Sequence, residues 1–188
     1  EKNPEFILDV ATGTADLAIA LQKTSPREII GVDISQGMLD VGQKKIEGKG
    51  LTNLIRLKLG DSEDLPFEDH HFDVATVAFG VRNFENLEKG LTEILRVLKP
   101  GGKLIVLEFS QPDTFPFRQL YRFYFKNILP TIGRIISKDS SAYTYLPDSV
   151  DAFPYGSAFT EIMSRCGYSD PRAQKLTFGV ANIYQASK

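Results

Sequence analysis

The chain has 188 residues, with 22 Lys and Arg against 24 Asp and Glu for a formal charge of −2, and 42% hydrophobic residues. That is the profile of one globular domain and excludes a fibre, a charged tail or a repeat array. A chain of this length removes roughly 70% of its unfolded surface from water on folding, so a core can hold it without cross-links. The near-zero charge speaks against a general nucleic-acid binder, which needs a basic surface against phosphates. No run of about 18 uncharged apolar residues offers a membrane-spanning helix, and no secretory signal opens the chain. Cys166 is the single cysteine. It has no partner for an internal disulfide and reads as a small buried residue in a reducing, cytoplasmic compartment.

In chain order, the sequence opens at Glu1 without an initiator Met and runs almost at once into Phe6-Ile7-Leu8, so an upstream segment is expected to be missing. Apolar runs at residues 6–10, 29–34, 55–59, 73–79 and 103–109 read as five strands, with longer helical patterns between them. This alternation is the sequence form of a parallel sheet covered by helices on both faces. Ser35 is the expected N-cap of a helix running through Lys45. Leu87, Leu91, Ile94, Leu95 and Leu98 share one face of a helix that Lys99-Pro100-Gly101-Gly102 should close. Beyond residue 110 the pattern changes. Residues 112–156 read as an inserted lid or substrate segment, followed by a helix over 157–166 and two strands, 172–177 and 180–186, joined by Phe178-Gly179 as a hairpin. The expected fold is α/β: a doubly wound, Rossmann-like sheet in one domain, mostly parallel, with an antiparallel C-terminal hairpin.

Asp9-Val10-Ala11-Thr12-Gly13-Thr14-Ala15-Asp16 follows the first strand and opens a helix, the place where a doubly wound sheet binds a nucleotide-like ligand. It lacks the glycine spacing of a dinucleotide loop and the Gly-Lys-Ser or Gly-Lys-Thr of a Walker loop. Asp9 and Asp16 flank the turn, and two carboxylates there would repel a diphosphate, so a cationic ligand suits the turn better. S-adenosylmethionine, with a sulfonium, an ammonium and no phosphate, is such a ligand. Asp33 ends the second strand 20 residues after Gly13, where a carboxylate can accept both ribose hydroxyls. Gly60-Asp61-Ser62 ends the third strand at the height of an adenine amino group. Asp33 alone could be a helix-start residue and Asp61 one of several acids on a solvated loop; three strand ends together make a site.

These residues resemble a known family. The chain is similar to the class I S-adenosylmethionine-dependent methyltransferases, and more narrowly to the ubiquinone/menaquinone biosynthesis C-methyltransferases, the UbiE/MenG group. The narrow resemblance is carried by Asp9 to Asp16, by Phe79-Gly80-Val81-Arg82-Asn83, and by the string from Arg96-Val97-Leu98-Lys99-Pro100 to Leu107-Glu108-Phe109-Ser110. It continues through Leu129-Pro130, Tyr143-Thr144-Tyr145-Leu146 and residues 159–167. It implies that Gly13, Thr14, Asp33, Asp61 and Ser62 bind the cofactor and that the chain methylates a polyprenyl quinol, demethylmenaquinol or a ubiquinol precursor. Two departures stand out: Ala78 replaces a Ser that bacterial relatives often carry before Phe-Gly, and the family's N-terminal Tyr-Asp-x-Met-Asn segment, which helps cover the cofactor, is missing. Alternatives of other kinds are a small-molecule or lipid methyltransferase of the same fold and a cofactor-binding subunit without catalysis.

Methylating a quinol ring carbon requires a base or cation that favours the phenolate. Arg82, at the end of the fourth strand, is the expected stabiliser and Asn83 the group that orients the phenolate, while pairing of Arg82 with a nearby acid is the structural alternative. Tyr145 is the tyrosine chosen to reach the quinone. His70 and His71 are the only histidines; no Cys or third His completes a ligand set, so no metal is expected and a surface loop is read there. Between residues 114 and 138 there are five basic and no acidic residues among aromatic ones, with Arg118, Arg122 and Lys126 at every fourth position. The segment reads either as a peripheral membrane contact at the inner face or as a lid helix with a solvated face. No nucleic acid is expected as a partner, and the sequence sets no oligomeric state.

Overall fold

The structure, a computed structural model, describes residues 3–113, 115–123 and 149–188. Seven strands form one sheet: β1 (Phe6–Val10), β2 (Glu28–Asp33), β3 (Ile55–Leu59), β4 (Phe72–Ala78), β5 (Leu98–Phe109), β6 (Ser169–Leu176) and β7 (Ala181–Ser187). Their spatial order is β3-β2-β1-β4-β5-β7-β6. The first five are mutually parallel, and β7 runs antiparallel to both β5 and β6. The expected fold class holds, including the terminal hairpin, whose connection is a tight turn over Thr177–Gly179 with Thr177 and Phe178 left-handed.

Alternation along the strands separates two cores. Leu8 and Val10 face one side with Phe72, Leu104, Val106 and Tyr184, against α3 (Leu87–Val97) and α5 (Ser157–Arg165). Ile7 faces the other side with Ala18, Ile29, Ile46 and Ile55, against α1 (Asp16–Leu21) and α2 (Gln36–Gly48). Period two in the strands thus assigns each apolar residue to a layer. Ser35 caps α2 as expected, its Oγ accepting from Met38 N at 3.4 Å, and Asn86 caps α3 by accepting from Lys89 N at 3.0 Å.

The largest departure from the expected boundaries is at β5. Lys99-Pro100-Gly101-Gly102 does end α3, but β5 starts at Leu98 rather than Lys103. Leu98 pairs with Phe72 and Lys103 with Val74, so the four intervening residues bulge opposite Asp73. The bulge is held by Lys99 Nζ donating to Asp73 Oδ1 at 2.7 Å, and Gly101 takes the left-handed φ of 78° that it requires. Cys166 is half-buried against the first core, and burial raises its thiol pKa. Beyond β5, α4 (Phe117–Phe123) lies in the inserted segment, of which residues 112–113, 115–123 and 149–156 are described.

Candidate active site

The strand order reverses between β1 and β4, and a cavity of about 300 Å³ opens there at the carboxyl edge of the sheet, where doubly wound sheets place their ligands. Backbone conformation at both strand ends is unusual. Ala11 after β1 and Phe79 after β4 are left-handed, with φ of 53° and 56°, a conformation that non-glycine residues adopt rarely and that clusters at functional sites. The two ends pack against each other so tightly that a Cβ on Gly80 would meet Ala11 Cβ at 2.5 Å.

On the β2 and β3 side, Asp33, Asp61 and Ser62 all line the cavity, as read from the sequence, together with the exposed Ile34 and with Glu63. Asp33 Oδ2 accepts from Gly13 N at 2.8 Å and Oδ1 from Ser35 N at 2.9 Å. The carboxylate therefore ties the turn after β1 to the start of α2. Asp61 Oδ1 accepts from Glu63 N at 2.9 Å, which bends the chain so that its other oxygen carries no backbone contact among those described. On the β4 side Asn83 and Glu85 complete the wall.

Three sequence readings change. Asp9 and Asp16 do not stand over the ligand as a pair. Asp9 is buried on the α1 face of β1, beside its register partner Thr76, and accepts from Thr12 Oγ1 at 2.6 Å and Thr76 Oγ1 at 2.7 Å. Burial raises its pKa to about 6 against these hydrogen bonds. Asp16 points into solvent and pairs with Lys45 at 2.8 Å, a hydrogen bond that holds its pKa below the usual carboxylate value. The negative charge around the cavity comes instead from Asp33, Asp61, Glu63 and Glu85. Thr14 is the second change: its hydroxyl donates to Asp16 and accepts from Lys45 Nζ, while Gly13 meets Asp33 through its N–H.

Arg82 is the third. The sequence allowed it a role toward substrate or a pairing with a nearby acid, and the pairing is present, with Glu108 at 2.8 Å and side-chain exposures of 10% and 0%. Glu108 follows Leu104 and Val106 on the inward face of β5, and a carboxylate buried there demands an opposite charge. Burial raises its pKa, while the Phe109 N–H and Arg82 pull it down. Arg82 also donates to Phe79 O and, through Nε, to Ser149 Oγ at 3.3 Å. Tyr145 lies outside the described residues. His70 is exposed and His71 packs on Phe72 at 4.7 Å; among the described residues no cluster of metal-binding side chains occurs. Glu108, Glu63 and Glu85 were missed in the sequence; the signal for Glu108 was a charge inside the otherwise apolar run 104–109, which reads as a strand buried on both faces.

The cavity at the switch point of this doubly wound sheet is lined by carboxylates, and Gly13 N–H, an amide that a diphosphate loop would turn to its ligand, is taken by Asp33, so the site disfavours a phosphate. The same fold is seen in a SAM-dependent methyltransferase from Aquifex aeolicus, with a TM-score of 0.70 at 18% identity, over 97% of this chain and 81% of that one. The profile of the ubiE/COQ5 methyltransferase family matches residues 1–188. A demethylmenaquinone methyltransferase from Bacteroides fragilis is 48% identical over 186 residues, 98% of this chain and 76% of the relative. A ubiquinone/menaquinone biosynthesis C-methyltransferase UbiE from Geobacter sulfurreducens is 44% identical over 184 residues, 97% of this chain and 72% of the relative. The chain belongs to the ubiE/COQ5 methyltransferase family and is an S-adenosylmethionine-dependent methyltransferase.

Proposed function

We propose that the chain transfers a methyl group from S-adenosylmethionine to a ring carbon of demethylmenaquinol, yielding menaquinol, with ubiquinol precursors as related acceptors. The observation that carries the cofactor half of this reading is the ring of Asp33, Asp61, Glu63 and Glu85 around a cavity whose turn offers Gly13 N–H to a carboxylate. The acceptor half is supported by the activities of relatives at 48% and 44% identity, a demethylmenaquinone methyltransferase and a ubiquinone/menaquinone biosynthesis C-methyltransferase. When bound, S-adenosylmethionine supplies a methyl group activated by a sulfonium charge. Asp33 holds the two ribose hydroxyls with the acceptor capacity that its two amide contacts leave over. Asp61 and Ser62 serve the adenine edge, and Gly13 and Thr14 form the turn beneath the cofactor. Ala78 brings no hydroxyl to this site, so at that position only backbone contributes.

On the acceptor side, Asn83 lines the cavity and orients the quinol hydroxyl. Arg82 stabilises the phenolate that makes the adjacent carbon nucleophilic; guanidinium stays protonated, so its part is electrostatic and not that of a base. Tyr145 contributes to the quinone side from the inserted segment. Incubation with methyl-labelled cofactor and a demethylmenaquinol, followed by mass measurement of the quinone, tests the whole reading: one labelled methyl on the ring is expected, and label on oxygen or none would overturn it.

The acceptor's polyprenyl tail resides in a bilayer, and we place the protein's peripheral contact at residues 114–138. Support comes from Phe115, Leu120 and Phe123, all exposed, and from Phe117, stacked at 4.0 Å on the exposed Phe178 of the hairpin turn. Arg118 is exposed beside them; Lys126 lies outside the described residues. No described helix is long and apolar enough to cross a membrane. Replacing Arg118, Arg122 and Lys126 by Gln should abolish most sedimentation with anionic vesicles while sparing methylation of a short-tailed quinol. Unchanged sedimentation would leave a lid helix with a solvated face.

A further inference from the structure

We propose that Glu108 is a positioning residue for methyl transfer, holding Arg82 at the joint between the cofactor cavity and the chain that returns at residue 149. The inference rests on the reading of Arg82 as the phenolate's stabiliser. One carboxylate grips Arg82 twice. Oε1 accepts from Arg82 Nη1 at 2.8 Å, and Oε2 accepts from the Arg82 backbone N at 3.3 Å. The backbone contact falls within the single helical turn Val81–Asn83, whose last residue lines the cavity. The side-chain contact fixes a guanidinium that also donates to Phe79 O and to Ser149 Oγ and lies 5.5 Å from the Phe109 ring. Cavity wall, β5 and the returning segment thus meet on one arginine.

The surroundings of Glu108 argue that its charge is there for geometry. Its register partner across β7 is the buried Asn182, whose Oδ1 has no hydrogen-bond partner among the described residues. Asn182 Nδ2 donates to the Tyr184 hydroxyl at 3.0 Å, and that hydroxyl also accepts from Gly156 N at 2.8 Å. An apolar residue at position 108 would continue the Leu104 and Val106 stripe, and a buried ion pair is weak grounds for stability. A guanidinium aimed at a developing negative charge must instead be held to a fraction of an ångström, and a buried carboxylate with two contacts to the same residue does so.

The test is a double-mutant cycle of Glu108→Gln, Arg82→Met and the pair, with kcat and KM measured for a short-tailed demethylmenaquinol and cofactor affinity measured by calorimetry. Each single variant should lower kcat by about 10- to 100-fold with cofactor affinity within about threefold, because an ångström of misplacement costs on that scale. The double variant should be no slower than Arg82→Met, since Glu108 then has nothing left to hold. Glu108→Asp, which keeps the charge, should recover part of the loss. A purely structural role would lower turnover and cofactor affinity together and multiply in the double variant, and either result overturns the inference. So does normal turnover in Glu108→Gln when Arg82→Met is slow. Normal turnover in Arg82→Met overturns the underlying reading of Arg82 instead. Should Glu108→Gln not fold, the double variant, which removes both buried charges, decides against Arg82→Met alone: equal kcat supports the inference and a further loss overturns it.

Discussion

The two halves of the sheet's carboxyl edge handle charge in opposite ways. Beyond β2 and β3, Asp33, Asp61 and Glu63 line an open cavity, with their carboxylates accepting from backbone amides rather than from a buried cation. Beyond β4 and β5, Arg82 and Glu108 are buried against each other, with Asn182 and Tyr184 beneath them. An open carboxylate keeps its water and can exchange it for a ligand's hydroxyls at low cost. A buried one has surrendered its water and depends on a fixed partner. The first half is therefore suited to binding and releasing a cofactor, and the second to holding one arrangement.

This contrast can be broken at its strongest point by Glu108→Ala, which strands the Arg82 guanidinium. A loss of about 3 to 5 kcal/mol in unfolding free energy is expected, read by urea denaturation. A loss below 1 kcal/mol would mean the pair behaves like surface charge. Asp9, buried beside the cofactor half, should announce itself through pH. Its pKa is raised from the ordinary 3.8 to about 6, so the native state keeps a proton that the unfolded chain has released. The associated stability is present below pH 3.8 and lost as pH rises to about 6. Relative to Asp9→Asn, the wild type should lose about 3 kcal/mol across that window, and parallel pH curves would refute the assignment.

Smaller effects sharpen the open side. Asp33→Ala should weaken S-adenosylmethionine binding by about 1 to 3 kcal/mol by calorimetry, through loss of charged acceptors for the ribose, whereas Asp64→Ala, outside the cavity lining, should leave it unchanged. Equal affinities for wild type and Asp33→Ala would remove Asp33 from the site. Least of all should be Asp16→Ala. Its pair with Lys45 is 76% exposed on the aspartate side, so its removal should cost no more than about 0.5 kcal/mol and less at high salt. A larger loss of cofactor affinity would restore Asp16 to the ligand, where the sequence reading had it.

Five parallel strands, the Ser35 cap, the hairpin and the cavity's Asp33, Asp61, Ser62 and Asn83 were legible because each is written locally, as period two, a cap, a turn or a polar residue at a strand end. The pairing of Arg82 with Glu108 spans 26 residues, and Asp9 meets Thr76 across 67. No local pattern records such distances. Strand register decides them, because β4 lies between β1 and β5 and brings Thr76 beside Asp9, and the turn after it sets Arg82 over Glu108. The same local rules misplaced Asp16, since nothing near it in the chain announces Lys45, one helix away and 29 residues on. Residue types and spacing determined the layers and the ligand's edge of the sheet, and the resemblance of whole motifs pointed to the family. Which charges face the ligand and which face each other was settled only by tertiary structure, because burial and distance, not identity, decide whether a carboxylate keeps its water.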